Sequence, residues 1–215
     1  MKMNYTDIFF DMDGTINESG KGIKRSFRYA MEKLGMPLEE GYDLDHVIGP
    51  PLSWSFSKAG VPADRVEEAI DAYRELYGAE GLFESDPYPG VVEMLETLKA
   101  KGKKLHIATS KPDVMTLRIL NHFHLREYFD VIATATMDES RSTKEDVITY
   151  GLGLLGDVPR EAILMVGDRY HDIEGAKANG LDSVGVLYGY GTREELENAG
   201  ATYLAETPRE VAELL

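Results

Sequence analysis

Two aspartates one residue apart, Asp11 and Asp13, lie in the run Asp11-Met12-Asp13-Gly14-Thr15, directly behind the apolar Ile8-Phe9-Phe10. A strand that ends in two carboxylates, followed by glycine and threonine, delivers both acids and a tight turn to one edge of a sheet. Acids so placed can hold a hard divalent cation or serve phosphoryl chemistry, and the same run can also be a solvated acidic turn. A calcium loop of the EF-hand type would need Asp or Asn at position 15 and Glu at position 22, where this chain has Thr15 and Gly22. The decision rests on what other strand ends supply.

The elements that would position these residues can be read in order. A strand is expected over Thr6 to Phe10, apolar on both faces as in the middle of a parallel sheet. Ile23, Phe27, Ala30, Met31 and Leu34 then recur at helical spacing. Further helical runs are expected over Leu44 to Ile48, from Leu52 to Ala59, and over Ala63 to Tyr77. Four helices in succession without a strand imply a helical insert. Tyr88-Pro89-Gly90-Val91 returns the chain to strand and helix in alternation. Strands are expected over Lys104 to Thr109, Asp130 to Thr134, Ala162 to Val166 and Ser183 to Leu187. The helices between and after them are expected over Val91 to Lys101, Asp113 to His122, Lys144 to Leu154, Ile173 to Ala178, Arg193 to Asn198 and Pro208 to Leu214. Alternation of this kind means right-handed crossovers and a parallel sheet covered on both faces, with ligands at the carboxyl ends of the strands.

Those carboxyl ends carry a consistent set. Asp11 and Asp13 end the first strand, and Thr109-Ser110-Lys111-Pro112 ends the next; Lys144 opens a helix, and Gly167-Asp168-Arg169-Tyr170-His171-Asp172 ends the fourth strand. Any one of these has an ordinary reading as a turn hydroxyl, a solvated lysine or a helix cap. Together the ordinary readings do not explain why acids, hydroxyls and a lysine recur at successive strand ends. Gly151-Leu152-Gly153-Leu154-Leu155-Gly156 matches a dinucleotide fingerprint by letter, yet it follows a helical run rather than a strand, so a helix end is expected there.

Composition narrows the partners. The chain has 215 residues, of which 43% are hydrophobic, enough for a packed interior. With 23 Lys and Arg against 38 Asp and Glu the formal net charge is −15, which argues against a nucleic-acid polymer or an anionic membrane as partner. The absence of cysteine excludes disulfides, thiolate metal sites and thiol nucleophiles. No apolar run approaches the roughly 18 residues of a membrane span, and a cytoplasmic location is expected.

In its four strand-end motifs the chain resembles the haloacid dehalogenase-like hydrolase superfamily, in the branch with a helical cap inserted after the first strand. It is most similar to the phosphoglycolate-phosphatase and 5'-nucleotidase-like members. The resemblance covers essentially the whole chain, and Asp-x-Asp-Gly-Thr together with Gly-Asp-Arg-x-x-Asp is its most specific part. It implies an α/β fold with a Rossmann-like parallel sheet in the order 3-2-1-4-5, a core over 1–16 and 88–215, and an inserted helical-bundle cap over 17–87. It further implies a Mg²⁺-dependent hydrolase of phosphate monoesters, with a small phosphorylated metabolite as substrate and a monomer as the default state.

By the same resemblance Asp11 is the nucleophile, forming an aspartyl-phosphate, and Asp13 is the acid that protonates the leaving alcohol and then activates water. Lys144 offsets charge on the phosphoryl oxygens, and Thr109 and Ser110 bind those oxygens. Mg²⁺ is held by Asp11, the backbone carbonyl of Asp13, Asp168 and Asp172, the last through a water or by orienting Lys144. In the cap, Lys21, Arg25, Trp54 and Lys58 are candidates to read the rest of the substrate, with Trp54 expected mainly in the cap core. His171 is expected at the surface, and Arg169 in a structural or entrance role. Three alternatives are weighed: a phosphosugar mutase of the β-phosphoglucomutase kind, which would share every core residue; a haloacid dehalogenase, against which the second acid Asp13 argues; and a non-catalytic binding protein.

Overall fold

The computed structural model describes residues 5–215. From the amino end the chain passes through β1 (Asp7–Phe10) and β2 (Asn17–Glu18), then α1 (Gly20–Lys33), α2 (Leu52–Lys58) and α3 (Val66–Ala79), and leaves them by β3 (Asp86–Pro87). It continues as α4 (Val91–Ala100), β4 (Lys104–Pro112), α5 (Asp113–His122), β5 (Phe129–Ala135), α6 (Lys144–Leu155), β6 (Ile163–Gly167), α7 (Tyr170–Ala178), β7 (Asp182–Val186), α8 (Arg193–Ala199), β8 (Tyr203–Ala205) and α9 (Pro208–Leu214). Two compact units result, one of the residues up to Glu18 with Pro87–Leu215, the other of Ser19–Asp86.

The larger unit is an α/β layer structure. Its six-stranded sheet has the order β5-β4-β1-β6-β7-β8, and every pairing is parallel. β1 is central and wholly buried, which its sequence Asp-Ile-Phe-Phe allows because Asp7 is matched by His106 on β4, Nε2 to Oδ1 at 3.0 Å. The register pairs Phe10 with Ile107 on one side and Val166 on the other, so β1 and β6 leave the sheet side by side, just before Asp11 and Asp168, next to the stretch of β4 that carries Thr109. Phe9, Ala108, Ala133, Val147, Ile148, Met165 and Ala176 form one buried cluster on a face of the sheet.

Gly151 lies inside α6, and a side chain there would press on Phe9 and Ala133 at about 3 Å. The glycine-rich run is therefore mostly helix interior, with only Gly156 at the helix end, at φ 73°. Its first glycine lets the helix approach the sheet closely, a reason unrelated to nucleotide binding.

Three other expectations are corrected by the chain's geometry. β8, absent from the expected order, adds a three-residue edge strand too short to show a period. β4 runs on through Pro112, pairing it with Ala135 after a register shift beyond Thr109. α7 begins at Tyr170 rather than Ile173, because Asp172 folds back to accept the Arg169 N–H at 3.0 Å.

The smaller unit is helical around stacked aromatics. Phe27 lies face to face with Phe56 at 4.3 Å, Phe56 meets Tyr73 edge-on, and Tyr73 stacks on Tyr77 at 5.1 Å. The expected helix over Leu44 to Ile48 is a single 3₁₀ turn, Asp45–Val47, cut off by Gly49-Pro50-Pro51. Trp54 is 44% exposed, which overturns its expected place in this core. On α2 the buried residues are Ser55 and Phe56, and Trp54 turns outward under the Lys58 ammonium, 4.7 Å from its ring.

Candidate active site

The turn after β1 is built around one carbonyl. Met12 O accepts the N–H groups of Thr15, Ile16 and Asn17, which coils the chain tightly enough that Gly14 must adopt φ 88°. A side chain at Gly14 would also overlap the Asp168 carboxylate, so glycine is required twice over. Asp11 and Asp13 are thereby presented at the end of β1, both buried.

Lys144 opens α6, whose N-cap Thr143 accepts the Asp146 N–H at 3.2 Å. Its ammonium meets three acceptors: Asp11 Oδ1 at 2.6 Å, Asp172 Oδ1 at 2.8 Å and the Ala108 carbonyl at 3.1 Å. Two carboxylates and a carbonyl thus surround the ammonium, which is the charge matching that a buried lysine requires. Burial alone would lower the Lys144 pKa, but Asp11 and Asp172 outweigh it and raise the pKa, so the group stays charged. Asp172 is engaged on both oxygens, by Lys144 and by the Arg169 N–H, and so orients the lysine.

Asp168 follows β6 with no exposure at all. The Tyr190 N–H donates to its Oδ2 at 2.8 Å, and the Thr15 hydroxyl approaches Oδ1 at 3.4 Å. The loop Tyr188-Gly189-Tyr190-Gly191 after β7 wraps this carboxylate, and side chains at Gly189 or Gly191 would collide with Asp168. Tyr188 fastens the loop by donating its hydroxyl to the Thr15 carbonyl at 3.1 Å. Sequence reasoning passed over this loop; its alternating glycines just beyond a strand end were the available signal.

Asp11, Asp168 and Asp172 each offer an oxygen, all within 4.8 Å of one another. Burial pushes Asp168 well above the usual carboxylate range, and Asp172 and Asp11 push it further. Burial likewise raises Asp11, opposed by Lys144 and by the Met12 N–H. Asp11 is thus a desolvated carboxylate kept available by its neighbours, not an ordinary solvated one. Buried hard oxygens that repel one another fit a small divalent cation such as Mg²⁺. The carboxylate of Asp13 stands outside this group, which is compatible with a contribution through its backbone carbonyl.

Thr109, in β4 just before its register shift, is buried, and its hydroxyl accepts the Lys111 N–H at 3.2 Å, leaving its own proton to donate. Ser110 is half-buried beside it. Lys111 lies 3.1 Å from Asp13 Oδ2, both side chains nearly buried, a contact not anticipated from the sequence. Arg169 donates from Nε to Glu195 Oε1 at 2.8 Å, and the same oxygen accepts the Tyr170 N–H. His171, expected at the surface, is half-buried. Its ring lies 3.7 Å from that of Tyr170, and burial together with Arg169 and Lys144 lowers its pKa to about 4.

In the helical unit, Lys21 is exposed, while the guanidinium of Arg25 is already engaged by Glu80 and Glu84 at 2.5 Å each. Asp11, Asp13, Thr109, Lys144, Asp168 and Asp172 are therefore brought together, whereas Lys21 and Trp54 belong to the other unit.

The chain is similar to known proteins. Residues 8–186 match the family described as haloacid dehalogenase-like hydrolase. A protein named tyrosine-protein kinase PtkA from Mycobacterium tuberculosis is 40% identical over 97% of this chain and 72% of its own length. A 5'-nucleotidase of Pseudomonas aeruginosa is 39% identical over 90% of this chain and 88% of its own. The crystal structure of a predicted phosphatase from Clostridium acetobutylicum superposes with a TM-score of 0.93 at 40% identity, covering 97% of both chains. With this family match over most of its length, the chain belongs to the haloacid dehalogenase-like hydrolases, and its phosphatase-named relatives set it among their phosphatases.

Proposed function

We propose that this chain is a Mg²⁺-dependent phosphatase of small phosphate monoesters, phosphoglycolate-like or 5'-nucleotide, acting through a phosphorylated Asp11. The observation that carries the reading is the pairing of Asp11 with Lys144 at 2.6 Å while Asp13, two residues on, stands outside that pair. One carboxylate is set up to attack and the other to move a proton.

Asp11 attacks phosphorus, and Lys144 holds its carboxylate in line and offsets charge on the phosphoryl oxygens. The Thr109 hydroxyl and the amides near Met12, Asp13 and Ser110 bind those oxygens. Asp13 gives a proton to the departing oxygen and later takes one from the water that cleaves the aspartyl-phosphate. Asp11, Asp168 and Asp172, with the Asp13 carbonyl, would hold Mg²⁺, which supplies further charge neutralisation. The exposed Lys21 and Trp54 are the cap groups proposed to recognise the remainder of the substrate. A monomer in the cytoplasm is the working state.

The test is phosphate release from phosphoglycolate, 5'-nucleotides, pyrophosphate and sugar phosphates, with and without Mg²⁺, while isomerised products are followed in parallel. Mg²⁺-dependent release from a monoester supports the reading. Isomerisation without release would move the chain to the mutases, and absence of turnover from the folded, metal-loaded protein across the panel would count against catalysis.

A further inference from the structure

We propose that Lys111 is a positioning residue for Asp13, pinning one oxygen of that carboxylate so that the other is aimed at the ester oxygen of the leaving group. The inference rests on the phosphatase reading above and deepens it. Two lysines reach the strand-end acids: Lys144 serves Asp11, and Lys111 serves Asp13, Nζ to Oδ2 at 3.1 Å. The exposures of the Lys111 and Asp13 side chains are 5% and 11%. A lysine is so deeply buried only where its charge is matched.

Both ends of this contact are held by their backbones. The Lys111 N–H donates to the Thr109 hydroxyl at 3.2 Å, and its carbonyl accepts from the Thr116 hydroxyl at 3.3 Å. Thr109 and Thr116 are themselves buried. On the other side, the three amides gathered by Met12 O and the Gly14 N–H donated to Asn17 O fix the turn that carries Asp13. The carboxylate of Asp13 is then left with one unconstrained feature, its second oxygen. Oδ1 is buried and accepts no hydrogen bond. A buried acceptor without a donor is costly, and a substrate oxygen sharing a proton with it removes that cost.

The proton inventory closes. As the Asp11–phosphorus bond forms and the phosphorus–ester oxygen bond breaks, the proton on Asp13 Oδ1 passes to the departing oxygen. Asp13 is left as a carboxylate against the Lys111 ammonium. Water then attacks the aspartyl-phosphate and returns a proton to Asp13. Lys111 touches none of the reacting atoms; its part is to hold the acid that does.

Leaving-group dependence tests this directly. An aryl ester such as p-nitrophenyl phosphate departs as a stable phenolate and needs little help from an acid, whereas glycerol 2-phosphate departs as an alkoxide and needs the proton. The ratio kcat/KM reports only steps up to the first irreversible one, so hydrolysis of the aspartyl-phosphate does not enter. In Lys111→Met, with Mg²⁺ present, we expect kcat/KM to fall about 100-fold or more for glycerol 2-phosphate and less than about 10-fold for p-nitrophenyl phosphate. Lys111→Arg should recover most of the loss. Thermal melting establishes folding, and Lys111→Gln takes the place of the methionine variant if that one does not fold.

Equal losses on the two esters in a folded variant, or no loss on either, would overturn the proposal. Asp13→Asn is the reference. If it is selective against the alkyl ester and Lys111→Met is not, the positioning role alone fails. If Asp13→Asn is itself unselective, Asp13 is not the acid, and the underlying mechanism fails with it.

Discussion

The strand-end ion pairs of the α/β unit and the surface ion pairs of the helical unit are alike in chemistry and opposite in setting. In the helical unit Lys33 pairs with Glu75, Arg25 with Glu80 and Glu84, and Lys24 with Asp45, each pair with at least one partner well exposed. In the α/β unit Lys144 and Lys111 meet Asp11, Asp172 and Asp13 with side chains almost wholly withdrawn from water. An exposed pair gains little, because water screens it and two long side chains must be ordered. A buried pair cannot lose one member without stranding the other. The difference separates charges that decorate a surface from charges that operate as a set.

The largest effect is expected from Lys144→Met. It leaves Asp11 and Asp172 facing each other without their shared cation, and kcat/KM for any monoester substrate should fall by about 1,000-fold or more, a figure typical of lost charge stabilisation in a dry site. A loss under about 10-fold, measured on folded protein, would show that Lys144 is only a structural lysine.

A second, smaller effect is one of pH. His171 is held to a pKa of about 4, below its ordinary value near 6.5, so the folded chain keeps it neutral where the unfolded chain binds a proton. Its contribution is therefore fully present above the unfolded value and is lost as pH falls from about 6.5 toward about 4. Without metal, the melting temperature of the wild type should drop more between pH 7 and pH 5 than that of His171→Leu. Parallel curves would contradict the assigned burial.

Smallest of all, Lys33→Met removes an exposed partner of Glu75 and should leave the midpoint of a denaturant titration almost unchanged. A larger loss would erase the contrast between the two units.

How much of this could be read from the chain follows the same division. Asp11, Asp13, Lys144, Asp168 and Asp172 were legible because strands covered on both faces must be apolar, so that polar residues at their ends stand out in kind and position. Lys111 was not, because a lysine after Thr109-Ser110 reads as a solvated turn residue until the register shift in β4 carries it inward. The cradle around Asp168 was hidden for a related reason: its contacts come from backbone N–H groups and absent side chains at Gly14, Gly189 and Gly191, which sequence letters show only as glycine. In the helical unit the stripe Ile23, Phe27, Ala30, Met31 gave α1 correctly, since packing alone decides it. Trp54 was misplaced because a seven-residue helix offers too few positions for a period to tell the inward face from the outward one.

The central claim is that Asp11 carries the phosphoryl group. Acid quenching of the enzyme during turnover of ³²P-labelled substrate with Mg²⁺, followed by peptide mapping, tests it most directly, and Asp13→Asn should raise the trapped amount by slowing hydrolysis of the intermediate. The account predicts label on the peptide that contains Asp11 and none in Asp11→Asn. Label on another residue, or turnover that survives in Asp11→Asn, would contradict it.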